Sequence, residues 1–249
     1  MPEWDDLCQI LFELSNESRL RLALSLLEKK GTVTQLAKKY DLSTQETSRH
    51  LSRLTDNDLI QRDTEGAYEI SQFGRLILST LGSQWFIAEN QDYFASHDAC
   101  HIPEEFQSRL GELEESVYVD DVMAVFQRIQ EMIDDAEEYI YRLTDRRFNL
   151  AYPHLQEAAE RGVEFRLIET IEYEYSPDVN QFKRVSPSET RGLASIPVFI
   201  AMSEKEVAAL AFPIEDRFDY RGFTSRDEKS IKWCRDLFQY YWEQAKPKQ

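Results

Sequence analysis

Residues 42–62 of the chain read LSTQETSRHLSRLTDNDLIQR and mix leucines with short polar and basic side chains. The leucines and Thr47 recur at three- and four-residue steps, which places them on one side of a helix packed on a core. Ser43 and Glu46 match the S-x-x-E capping box, so we predict that a helix begins at Ser43 and that Glu46 bonds back to the Ser43 amide. The side left for a ligand consists of Thr44, Gln45, Ser48, Arg49, Ser52 and Arg53.

The segments around this helix predict a small domain that ends in a hairpin. Three helical segments precede it, at 4–14, 20–30 and 32–40, and residues 59–62 and 67–70 read as strands joined by a turn. The first segment carries one apolar stripe, made of Trp4, Leu7, Cys8, Leu11 and Leu14. Helix, helix, helix, turn, helix and hairpin within 75 residues is the order of a winged helix-turn-helix.

The open side of the fourth helix suits the edges of DNA bases. Short polar side chains and arginines at the N-terminal half of a helix reach donors and acceptors in the major groove. Arg62, in the first hairpin strand, is predicted to touch the DNA backbone. His50 lies beside the buried stripe, which favours a core or backbone-bonded histidine over a DNA contact. A solvated polar helix face is the alternative, and the hairpin that follows favours a wing.

The charge of the chain is distributed unevenly. The formal net charge is -17, but residues 1–75 hold 10 Lys+Arg against 13 Asp+Glu, so most of the excess lies in the remainder. A strong negative charge argues against nonspecific adhesion to nucleic acid or anionic lipid, and it leaves room for a local basic face.

The second part of the sequence changes from helical to mixed periodicity. Residues 119–138 predict a long amphipathic helix, and 139–143, 153–161 and 163–168 predict a strand, a helix and a parallel strand. Residues 197–202 and 206–212 predict a hairpin, and Ser225 with Glu228 predicts a capping box for a C-terminal helix. The fold class is therefore α+β, with a winged helix-turn-helix at 1–75, a helical connector at 76–116 and an α/β domain at 117–249.

The first part resembles a known family. Residues 14–60, LSNESRLRLALSLLEKKGTVTQLAKKYDLSTQETSRHLSRLTDNDLI, are similar to the ArsR-like winged-helix regulators of prokaryotes, notably in S-R-H-L and in the D-L-I before the wing. Such regulators have Gly-Leu at the corner between helix and wing, where this chain has Asp58. Asp adopts a left-handed conformation less readily than Gly, but it does adopt it.

The second part resembles the C-terminal module of archaeal regulators named for a methanogenesis regulatory protein. The residues that carry this resemblance are 89–113, 196–213 and 219–245. The module is also similar to sensor domains related to phospholipase D. That enzyme family needs H-x-K-x4-D, and none of the histidines at 50, 97, 101 and 154 is followed by Lys at that spacing. We therefore predict a non-catalytic sensor domain without a cofactor.

Other site chemistries find little support in the sequence. His97, Asp98, Cys100 and His101 include suitable zinc ligands, but neighbours this close rarely converge on one ion, so a structural loop is favoured and no metal is predicted. The three cysteines lie far apart, which predicts reduced, partly buried thiols in a cytoplasmic protein. The longest apolar run, Ile196 to Met202, is far shorter than a membrane helix, and we expect neither a membrane span nor a secretory signal.

The resemblance implies a homodimer on a double-stranded DNA operator, regulated by a small effector. Effectors bind beyond the carboxyl ends of sheet strands in α/β domains, which points to Arg146, Arg147 and Glu169 as effector-binding residues. Arg191, in a stretch without a readable pattern at 170–192, is a fourth candidate. Surface ion pairs explain the same residues equally well. The alternative function is a winged-helix module that binds protein partners without sequence-specific DNA binding.

Overall fold

The structure is a computed structural model that describes residues 4–146, 151–171 and 188–248. The chain forms two compact units, Met1–Leu81 and Gly82–Gln249. The first contains the predicted winged helix-turn-helix, and the second contains the predicted α/β domain.

The first unit has the predicted order of elements. They are α1 (Asp5–Leu14), α2 (Glu17–Glu28), α3 (Val33–Tyr40), α4 (Thr44–Asp56), β1 (Ile60–Arg62), β2 (Tyr68–Ile70) and α5 (Gln72–Ser79). Local capping explains where the helices start: Asn16 accepts from the Arg19 amide, and Thr32 with Gln35 forms a reciprocal capping box. The two strands pair antiparallel, with Ile60 opposite Ile70.

Two tight backbone positions hold the hairpin against the helices. Asp58 has a left-handed conformation with a φ of 56°, so this aspartate does take the place usually filled by glycine. Gly74 brings α5 against the start of the hairpin, because a β-carbon there would lie only 1.9 Å from the carbonyl oxygen of Leu59.

The core of the first unit is aliphatic, and α1 contributes little to it. The core includes Leu22, Leu26, Leu36, Leu51, Leu54, Leu59 and Ile60. From α1 only Glu13 and Leu14 are buried, with Ile10 half-buried. Four of the five residues of the predicted stripe face outward: the exposed fractions of Trp4, Leu7 and Leu11 are 61%, 47% and 53%, and Cys8 is exposed, whereas Leu14 is buried.

The second unit begins with short helices and continues as a sheet covered by longer ones. The short helices are α6 (Leu81–Glu89, starting at the unit boundary), α7 (Gln91–Phe94), α8 (Glu104–Gln107) and a 3-10 turn at Leu110–Leu113. The strands are β3 (Val117–Val119), β4 (Tyr139–Leu143), β5 (Glu164–Thr170), β6 (Ser188–Leu193), β7 (Phe199–Ser203), β8 (Val207–Ala211), β9 (Gly222–Ser225) and β10 (Lys246–Pro247). The longer helices are α9 (Val122–Asp135), α10 (Tyr152–Glu160) and α11 (Glu228–Gln244).

The strands form one mixed sheet in the order β10-β6-β5-β4-β7-β8-β9-β3. β4 and β5 are parallel neighbours joined by α10, and β7 and β8 form an antiparallel hairpin, as predicted from their sequences. Helices cover both faces of the sheet. One face packs on α11 and the short helices, with Trp233 and Phe238 at its centre, and the other packs on α9 and α10 through Ile129 and Leu155.

Two boundary predictions in this unit are wrong. The amphipathic pattern at 119–138 contains the end of β3, and α9 begins only after Asp121, which caps the amides of Met123 and Ala124. Ser225 does not cap α11, because it lies in β9 and pairs with Val207 of β8. Asp227 caps the helix instead.

We predict that Gly74→Ala destabilises the first unit, by about 2 kcal/mol or more, because the new methyl group collides with the Leu59 carbonyl. Urea unfolding followed by circular dichroism measures the change. Gly82→Ala is the control, because its β-carbon would meet its nearest atom at 3.5 Å, an ordinary contact. Equal midpoints for the two variants would contradict the close approach of α5.

Candidate nucleic-acid interface

The exposed face of α4 carries most of the side chains predicted to contact DNA. Thr47, Leu51 and Leu54 are buried, which fixes the rotation of the helix. Thr47 also donates from its hydroxyl to the Ser43 carbonyl at 2.9 Å. The residues left exposed on the helix include Thr44, Gln45, Ser48, Arg49 and Ser52. Five side chains with donors, acceptors and one guanidinium therefore share an open surface.

Only one of the two hydrogen bonds of the predicted capping box is present at the start of α4. The Ser43 hydroxyl accepts from the Glu46 amide at 3.1 Å, as predicted. The Glu46 carboxylate does not fold back onto Ser43; its Oε1 lies 3.7 Å from Nε2 of His50, one turn further along the helix. Glu46 therefore keeps a partly exposed carboxylate beside the polar face.

Arg53 is anchored within the protein. Its Nε and Nη2 atoms donate to the two carboxylate oxygens of Glu13 at 2.9 and 2.6 Å. The guanidinium also lies over the ring of Phe12, 5.4 Å from the centroid. Two N–H groups of the Arg53 guanidinium, which was predicted to contact DNA, therefore bind α1. Arg53 thus joins α4 to that helix.

A second arginine binds the same carboxylate from α2. Arg19 Nε lies 3.1 Å from Glu13 Oε2 and donates to the Glu13 carbonyl, while its Nη2 donates to the Phe12 carbonyl. Glu13 is only 1% exposed and Arg19 only 7%. Hydrogen bonding from Arg53 holds the pKa of Glu13 below its usual value despite burial. We call Glu13, Arg19 and Arg53 the α1 ion cluster.

His50 is a buried histidine, in agreement with the favoured interpretation. It is 5% exposed, and burial lowers its pKa, as does the charge of Arg19. The ring is therefore neutral near pH 7 and offers no cation to a phosphate.

Lys30, which follows α2, joins the wing to the helices of the first unit. The sequence pattern did not indicate this contact. Lys30 Nζ lies 2.8 Å from Asp63, and Asp63 accepts from the amides of Glu65 and Ala67, which shapes the turn. Arg62 is exposed, stacks 5.7 Å from the centroid of the Tyr68 ring and donates to the Gly66 carbonyl. The wing tip thus presents both signs of charge.

The acidic and basic residues of the first unit are concentrated in different segments of the chain. Residues 1–17 contain five acidic and no basic residues, whereas residues 18–62 contain nine basic and five acidic ones. Lys29 and Lys38 are exposed in this second segment, and neither was singled out from the sequence. The segment that carries α4 and the start of the wing is therefore locally basic although the chain is acidic.

Two of the residues predicted to bind an effector, Glu169 and Arg191, lie on opposite faces of the sheet. Arg146 is exposed beside Asp145, and Arg147 lies outside the described residues. Glu169 is buried against Lys248, 2.9 Å away, while Arg191 lies 4.4 Å over the ring centroid of Trp242. Arg191 pairs with Ile168 across the sheet, so the adjacent Glu169 points to the opposite face.

A pocket of about 480 Å³ lies elsewhere in the second unit, along one side of α9. Its lining includes Met123, Ala124, Phe126, Gln127, Gln130 and Ala151. The lining combines apolar side chains, including buried Ile129, with the amide side chains of Gln127 and Gln130. Such a mixture suits a small, largely apolar ligand with a few hydrogen-bonding groups.

The histidine-rich loop serves the packing of the second unit. His97 stacks on Tyr93 at 3.7 Å, bonds the Tyr93 carbonyl and faces Asp219. His101 is exposed and paired with Asp98. Across residues 4–146, 151–171 and 188–248, no group of three His, Cys, Asp or Glu residues could hold a metal ion. Cys8 and Cys100 are exposed, so the interpretation of three partly buried thiols holds only for Cys234, which is fully buried.

We predict that Glu13→Gln lowers the free energy of unfolding of the first unit, by about 2–3 kcal/mol, because it leaves buried Arg19 without a countercharge. Glu17→Gln is the control, since its pair with Arg21 is exposed on both sides and contributes little. The pKa of Glu13 is lowered on folding, so its contribution is present above the unfolded pKa and is lost as pH falls through the folded one. Acid titrations of the wild type and Glu13→Gln should therefore differ at neutral pH, and the difference should shrink as the pH falls below the ordinary glutamate pKa of about 4.3.

Comparison with known proteins agrees with both units. Residues 19–84 match the winged helix-turn-helix family, and residues 122–244 match the family described as methanogenesis regulatory protein FilR1, middle domain. No curated protein matches the chain. In the described parts of the chain, no helix is both long and apolar enough to cross a membrane.

Two solved structures are similar to the chain at low sequence identity. One is TrmBL2, an archaeal chromatin protein, whose report describes a novel mode of DNA binding; it has 17% identity and a TM-score of 0.44, and the match covers 93% of this chain and 94% of that one. The other is Nuc from Salmonella typhimurium, a phospholipase D family member, with 14% identity, a TM-score of 0.38 and coverage of 54% of this chain and 96% of that one. Both TM-scores are low, so neither similarity supports a conclusion about function. The two family matches support the architecture described above: residues 19–84 are similar to a winged helix-turn-helix domain, and residues 122–244 are similar to the middle domain of the methanogenesis regulatory protein FilR1.

Proposed function

We propose that the protein is a transcriptional regulator in which α4 reads a double-stranded DNA operator. The observation that carries the proposal is the exposed polar face of α4, held in a fixed rotation by buried Thr47, Leu51 and Leu54. A rigid helix with this face can enter the major groove, where base edges present distinct patterns of donors and acceptors.

In this proposal each exposed side chain has a part in recognition. Arg49 binds a guanine edge or a phosphate, and Thr44, Gln45, Ser48 and Ser52 reach base edges or the sugar-phosphate backbone. Arg62 of the wing contacts the backbone. Arg53 acts by holding the helix through Glu13, with the rest of its guanidinium left for a phosphate.

The charge distribution supports operator binding rather than general adhesion. The locally basic segment at 18–62 attracts phosphates, while the acidic remainder of the chain repels DNA that is not bound at α4. Binding should therefore be strongly salt-dependent, since each phosphate contact releases a counterion. A cytoplasmic homodimer with two α4 helices about 34 Å apart would match two successive major grooves.

Selection of genomic DNA fragments by the purified protein tests the proposal. A recurring sequence motif supports a regulator. Recovery of no motif at low salt would overturn it and favour a winged-helix module that binds protein partners.

We predict that Arg49→Ala weakens binding to the selected motif at least tenfold while leaving the fold intact, because it removes a guanidinium on the exposed face. Fluorescence anisotropy on labelled duplexes measures the affinity. Arg21→Ala, which removes another exposed arginine of the same unit, is the control and should bind normally. Equal affinities for the two variants would exclude α4 as the reading helix.

We also propose that a small effector acts at the α9 pocket. The pocket has the volume of a small-ligand site, and its lining combines apolar side chains with the Gln127 and Gln130 amides. Asp121 is among the lining residues, and the second unit is strongly acidic, so a neutral or cationic ligand fits better than an anionic one. The role is non-enzymatic, since the nucleophile motif of the phospholipase D enzymes is missing from the sequence.

We predict that Ala124→Trp abolishes binding of a neutral naphthylamine dye to the second unit, because the indole fills the pocket. Dye fluorescence titrated with protein measures binding. Glu157→Trp adds the same side chain at an exposed site on α10 and serves as the control. Unchanged dye binding in Ala124→Trp would contradict the pocket as a ligand site.

A further inference from the structure

The carboxylate of Glu46 lies in the first turn of α4 and takes no part in capping that helix. Ser43 caps α4 with its hydroxyl alone, and Oε1 of Glu46 is 3.7 Å from Nε2 of His50, which is longer than a hydrogen bond. Among the residues that the structure describes, no donor lies within hydrogen-bonding distance of this carboxylate. Its side chain is 42% exposed, so both oxygens keep their acceptor capacity for a ligand.

Neighbouring residues of α4 fix where this carboxylate lies. The adjoining Thr47 and His50 are buried, and Arg49, three residues after Glu46, shares its side of the helix. Burial lowers the pKa of His50, so the ring is neutral near pH 7 and does not offset the negative charge of Glu46. The helix dipole favours a carboxylate in the first turn. Glu46 therefore places an anion at the end of α4 whose side chains contact base edges in a recognition helix.

A carboxylate can accept hydrogen bonds from very few groups of a DNA duplex. Phosphate oxygens are acceptors and repel it, so the backbone offers it no partner. In the major groove the donors are the N4 amino group of cytosine and the N6 amino group of adenine. The adenine edge also carries the N7 acceptor, which opposes a carboxylate, whereas the cytosine edge carries a donor alone. Cytosine is therefore the base that suits a carboxylate best.

From this geometry and chemistry we infer that Glu46 is a specificity-determining residue whose carboxylate accepts from the N4 amino group of a cytosine in the operator. The inference rests on the proposed function and adds an acidic side chain to the polar and basic ones of α4. The hydroxyls and amides of Thr44, Gln45 and Ser48 both donate and accept, so they tolerate several bases. The Glu46 carboxylate only accepts, so it narrows the choice of base at its position.

Selection from a library of randomised DNA duplexes by the full chain tests this assignment. We expect the wild-type motif to contain one C·G pair that changes to A·T in the motif of Glu46→Gln, because a glutamine amide pairs with N6 and N7 of adenine. Every other position of the motif should stay the same. Glu28→Gln removes the same charge from an exposed site at the end of α2 and is the control, which should select the wild-type motif.

Affinities measured by fluorescence anisotropy separate base reading from a structural role of Glu46. Two duplexes are compared, one with the selected C·G pair and one with T·A in its place, where thymine presents the O4 acceptor instead of an amino group. The ratio of the two affinities should be smaller in Glu46→Ala than in the wild type by about fivefold or more. A side chain that only stabilised α4 would change both affinities alike and leave the ratio unchanged.

The possible failures are distinguishable. The same motif for the wild type and Glu46→Gln would overturn the reading of cytosine and leave the proposed regulator standing. An unchanged affinity ratio in Glu46→Ala, with both duplexes bound more tightly, would overturn it as well, because the carboxylate would then act only by repelling DNA. Failure of the wild type to select any motif would overturn the proposed function and this inference together. Circular dichroism checks that each variant is folded.

Discussion

The carboxylate of Glu13, buried between two guanidiniums, is the interaction on which the first unit depends. A buried carboxylate is unfavourable unless opposite charges and hydrogen-bond donors surround it. Arg19 from α2 and Arg53 from α4 supply both, at distances of 2.6–3.1 Å. The same contact fixes three helices at once. α4 is therefore oriented from two directions, by the aliphatic core on one side and by α1 on the other.

The sequence predicts the elements whose signals are local. The burial of Thr47, Leu51 and Leu54 follows from their periodicity, and the left-handed Asp58 follows from its place before the wing. Long-range pairing carries no local signal. Glu13 and Arg53 meet across 40 residues, and Lys30 meets Asp63 across 33, so neither pair could be found from spacing.

The incorrect predictions share one physical cause. Ser225 has the spacing of a cap, yet strand pairing with β8 holds it in an extended conformation, and Asp227 caps α11 in its place. Glu46 has the spacing of a capping carboxylate and faces His50 instead. A short motif shows which hydrogen bonds a side chain can form, whereas the surrounding packing determines which of them it does form.

The buried carboxylate also links the position of α1 to the reading face of α4. Glu13 lies on α1 and binds Arg53 of α4, so a shift of α1 would move the anchor of α4. If α4 reads DNA as proposed, this coupling is reciprocal: a ligand or partner that favours one position of α1 strengthens DNA binding by the factor by which DNA binding favours that position.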